Sequence, residues 1–89
     1  MKTNFAEITL RIADNFATEY EMIRDKCSPR AIFTLTAIYK IALTAKHEIN
    51  APWITEEERN EAIIVINKLA TFLIKNGYQI DDLKIKEEV

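Results

Sequence analysis

The sequence predicts an all-α fold, a three-helix bundle running up, down and up. Three observations carry that expectation. The 89 residues include one glycine and two prolines, too few for the many tight turns of a β-sandwich. Apolar residues recur in steps of three and four over long spans, the period of an amphipathic helix. The breaks between those spans carry the chemistry of helix caps. A composition of 48% hydrophobic and 29% charged residues is that of one folded domain rather than a disordered chain.

The first helix is expected over residues 4–26. Asn4 followed by Glu7 has capping-box spacing, with asparagine in place of Ser or Thr. Phe5, Ile8, Ile12, Phe16, Tyr20, Ile23 and Cys27 then form one apolar stripe, and its centre, near Ile12 and Ile23, is the expected core face. Ala6, Leu10, Ala13 and Ala17 make a second stripe beside it, with Leu10 about 140° from the core centre at 100° per residue.

The second helix is expected over 29–49. Ser28 is placed to cap it, and Pro29 suits the first helical position. Pro52 disfavours helix at the preceding residue, so the segment 50–54 is the break. The third helix spans 55–76. Thr55 and Glu58 form a capping box, and Glu56 and Glu57 add acids where the helix dipole favours them. Ala62, Val65, Ile66, Leu69 and Leu73 define its main face, and Lys75-Asn76-Gly77 supplies a basic last turn and a left-handed cap. Its isoleucine runs also suit a strand, but about 22 residues between caps is far longer than a strand. Residues 1–77 therefore read as the helical domain and 78–89 as a loosely attached tail. Ile80, Leu83 and Val89 are the tail's docking candidates, and Asp81 or Asp82 is a candidate cap for a short last helix.

Three helices leave a surplus of apolar surface. The second is apolar over most of its circumference, with Ile32, Leu35, Ile38, Tyr39, Ala42, Leu43 and Ile49 on one side and Phe33, Ala37 and Ile41 on the other. The third has Ile64 nearly opposite its main face. Because a helix that is apolar all round is normally buried all round, the bundle is expected to be completed by homo-oligomerisation. Leu10, Ala13, Ala17, Ile41 and Ile64 are the expected seam.

Little in the chain points to catalysis. A net charge of −2 is too balanced for a DNA binder that relies on a basic face. In a helix-turn-helix reading, the third helix would bring its acidic first turn to the phosphates. One cysteine excludes an internal disulfide or a cysteine-built zinc site. The single histidine, His47, has no second metal ligand at helical spacing, and Cys27 has no paired base nearby in sequence. Glu56, Glu57, Glu58 and Glu61 are explained by the helix dipole. One glycine cannot make a phosphate loop, and no Ser-His-Asp set is credible. No enzyme activity, metal or cofactor is expected. Nor is any membrane span: the longest weakly charged run, 31–45, still contains Lys40, and no signal segment is visible. A cytoplasmic location is the expectation.

Two binding features remain. Phe33, Thr36, Lys40, Thr44 and His47 follow helical steps down the more polar side of the second helix, with Arg30 near its start. As a site this set would hold a small anionic ligand such as a nucleotide, with Phe33 stacking and Arg30 and Lys40 meeting phosphates. Otherwise it is a solvated face. Trp53, between Pro52 and Ile54, is either a cap over the core beside Ile49 and Val65 or an exposed anchor for a partner protein. The expected function is that of a small non-enzymatic helical protein acting through homo-oligomerisation and protein binding. Its class would be an accessory, inhibitor or immunity-type protein of a phage, plasmid or bacterium, since 14 isoleucines with lysine and asparagine suit an AT-rich genome. The alternative is an oligomer that sequesters the anionic ligand.

Overall fold

Among the described residues three helices form, α1 over Phe5–Met22, α2 over Pro29–Glu48 and α3 over Glu56–Lys75. The computed structural model describes residues 5–80. The expected cap at Asn4 and the tail positions Asp81, Asp82, Leu83 and Val89 lie outside the described residues.

Local chemistry accounts for the start of α2 and both ends of α3. Ser28 sits in extended backbone and its hydroxyl accepts the Ala31 N–H at 3.2 Å, with Pro29 at the first helical position. Thr55 Oγ1 accepts the Glu58 N–H at 3.1 Å, while Glu58 Oε1 accepts the Thr55 N–H at 3.4 Å, closing the capping box. At the far end of α3 the Tyr78 N–H reaches the Leu73 carbonyl at 2.9 Å, and the Gly77 N–H reaches that of Ile74 at 3.0 Å. This paired return needs a left-handed residue, and Gly77 supplies it at φ 81°. The end of α2 is completed from another helix, by Arg59 Nε donating to the Ile49 carbonyl at 2.9 Å. Removing the α3 cap with Thr55→Ala should lower folding stability by about 1 kcal/mol, read as a shifted urea midpoint at unchanged slope.

The end of α1 differs from expectation, because the helix stops at Met22 rather than continuing to residue 26. The Ile23 N–H turns back to the Tyr20 carbonyl at 3.1 Å, a tightened turn of three residues. Asp25 then takes the chain out of helix: its side chain accepts the Cys27 N–H at 3.0 Å and its carbonyl accepts the Ser28 N–H at 3.1 Å. Such a local side-chain turn competes directly with the helical ladder. Lys26 folds back as well, donating Nζ to the Tyr20 carbonyl and lying 4.4 Å from the Tyr20 ring centre.

Contacts between helices fix the up-down-up course. Arg30 at the start of α2 pairs with Glu19 near the end of α1 at 2.9 Å. At the opposite end, Phe5 and Thr9 of α1 lie with Thr44 and Ala45 of α2. The last turns of α3 return to the end of α1, where Phe72 and Tyr20 meet edge to face with ring centres 5.9 Å apart. Beyond α3, Tyr78 packs on Tyr39 of α2 at 5.4 Å between ring centres, and Ile80 is buried. The described start of the tail is thus joined to the core.

The buried face of α1 is not the one centred on Ile12. Ala6, Thr9, Ala13 and Tyr20 are its buried residues, while Ile8 and Ile12 are 40% and 44% exposed. Elsewhere the core mixes alanines with larger aliphatics: Ala31, Ala42 and Ala62 have no exposed surface, and neither do Ile38, Ile66 and Leu73. Small side chains allow helices to pack at the close end of the usual 8–10 Å axial separation. On α1, Ile8 and Ile12 are then displaced to the rim. Ala13, expected at an intermolecular seam, is instead fully enclosed by its own chain and has no surface to offer a partner. The two buried threonines are satisfied within their helices, Thr9 by the Phe5 carbonyl at 3.0 Å and Thr34 by that of Arg30 at 2.8 Å. Among the described residues no buried side-chain polar atom lacks a partner.

Candidate functional site

The displaced isoleucines line a surface groove. Phe5, Ile8, Thr9 and Ile12 of α1 and Lys40, Ile41, Thr44 and Ala45 of α2 line an open groove of about 340 Å³. Its walls are almost wholly apolar, and Lys40 and Thr44, both exposed, are its polar rim. Phe33 lies seven residues before Lys40, two turns along the same face of α2. At 73% exposure it extends the apolar strip towards the Arg30–Glu19 end. A second depression is lined by Leu10 and the polar residues Glu7, Arg11, Asp14 and Asn15, and within it Arg11 pairs with Glu7 at 3.3 Å.

The six residues expected to hold an anion are not brought together. The guanidinium of Arg30 is held by Glu19, whose charge opposes a phosphate there. Thr36 donates its hydroxyl to the Ile32 carbonyl at 2.8 Å and accepts that of Tyr78 at 3.3 Å, so it faces the start of the tail. Lys40 and Thr44 join the apolar groove. His47 is exposed at the far end of α2. The strip is better suited to an apolar surface than to a phosphate.

The expected seam residues are scattered as well. Leu10, Ala17 and Ile41 are half-buried against the core, and only Ile41 belongs to the groove. Ile64 is 67% exposed on α3. Ile8 and Ile12, which help form the groove wall, lie on the stripe that hydropathy alone places in the core. The signal that identifies them is the alanine repeat at 6, 13 and 17, which marks the close-packed side of α1.

Trp53 is 73% exposed, and its neighbour Ile54 is the residue turned inward, at 8%. The ring therefore does not cap the core beside Ile49 and Val65. Trp53→Ala should change folding stability by no more than about 0.5 kcal/mol in urea denaturation, as expected for a surface site. A loss near 3 kcal/mol would place the ring in the core.

Chemistry-bearing groups remain dispersed. Among the described residues no three His, Cys, Asp or Glu side chains gather as metal ligands, and Cys27 is an exposed free thiol. Within the same residues no helix is long and apolar enough to cross a membrane. No protein-family model, curated protein or solved structure matches the chain.

Proposed function

We propose that this protein is a non-enzymatic interaction module that pairs with a second copy across the α1–α2 face. Such a module would serve as an accessory, inhibitor or immunity-type protein. The observation that carries the reading is the exposure of Ile8, Ile12 and Phe33 along one groove-centred face. Burial returns about 25 cal/mol per Å² of apolar surface, so covering three large side chains on each copy is a sizeable driving force, offset in part by the cost of association. The face is also poor in charge. Between Arg30 and Lys46, Lys40 is the only charged residue of α2, and depletion of charge marks the centre of protein interfaces.

Placing a carboxylate on that face tests the reading. Ile12→Glu and Phe33→Glu should each weaken self-association at least tenfold, equivalent to about 1.4 kcal/mol, while far-ultraviolet circular dichroism stays unchanged. Ile64→Glu, on the exposed side of α3, is the control and should leave association intact. Equal association in all three variants would remove the α1–α2 face from the proposal.

A further inference from the structure

We draw no further inference here: the strongest candidate, the exposed Trp53 at the turn between α2 and α3 beside the acidic first turn of α3, carries nothing because nothing in the structure shows what covers the ring and the glutamates are accounted for by the helix cap and dipole.

Discussion

Leu73→Ala is expected to lower folding stability by about 2–5 kcal/mol, the range for emptying a fully enclosed aliphatic site. Leu73 has no exposed surface and shares the centre of the core with Ile38 and Ile66. Its backbone matters as well, because its carbonyl receives the Tyr78 N–H that closes α3. A cavity there removes the packing that holds this stretch of backbone in place. Small domains hold roughly 5–15 kcal/mol in total, so the variant should melt roughly 8 °C or more below the parent. Urea denaturation should show a much lower midpoint with little change in slope. A midpoint within experimental error of the parent would mean that Leu73 is not enclosed.

The second large effect concerns the face of α1. Ala13→Leu should cost about 1–3 kcal/mol or more, because added methylenes in a close-packed seam force neighbouring helices apart. Ile12→Ala, one residue away, should cost much less than the 2–5 kcal/mol of a buried isoleucine. Both are best measured at low micromolar protein, where association contributes least to apparent stability. The order of the two effects is the result that matters. If Ile12→Ala is severe and Ala13→Leu is tolerated, the core of α1 is centred on the isoleucine stripe after all.

That reversal marks the boundary of what the sequence makes legible. Ser28-Pro29, Thr55 with Glu58, and Gly77 are readable because each cap is built from residues within four or five positions of one another. The end of α1 is harder. Asp25 and Lys26 stop the helix by bonding to nearby backbone, and nothing in the apolar period records that competition. Hydropathy alone misleads on the buried face, since it ranks isoleucine above alanine, whereas close helix packing rewards the smaller side chain. Trp53 and Ile54 present a choice that sequence leaves open, and the structure buries Ile54. Of the candidate site, Lys40 and Thr44 are legible as one stripe of α2, and Ile41 as a surplus apolar residue of the same helix. Ile8 and Ile12 are not, because their exposure depends on how tightly α1 meets its neighbours. The Arg59 contact to the Ile49 carbonyl is tertiary, and no local pattern announces it.

Self-association is the claim on which the functional reading depends, and sedimentation equilibrium of the unmodified chain tests it most directly. Over a protein range of about 1–100 µM, the reversible dimerisation proposed here should raise the weight-average mass with concentration, from near the 10.3 kDa of one chain towards twice that value. A mass that stays at 10.3 kDa across the whole range would contradict pairing through the α1–α2 face.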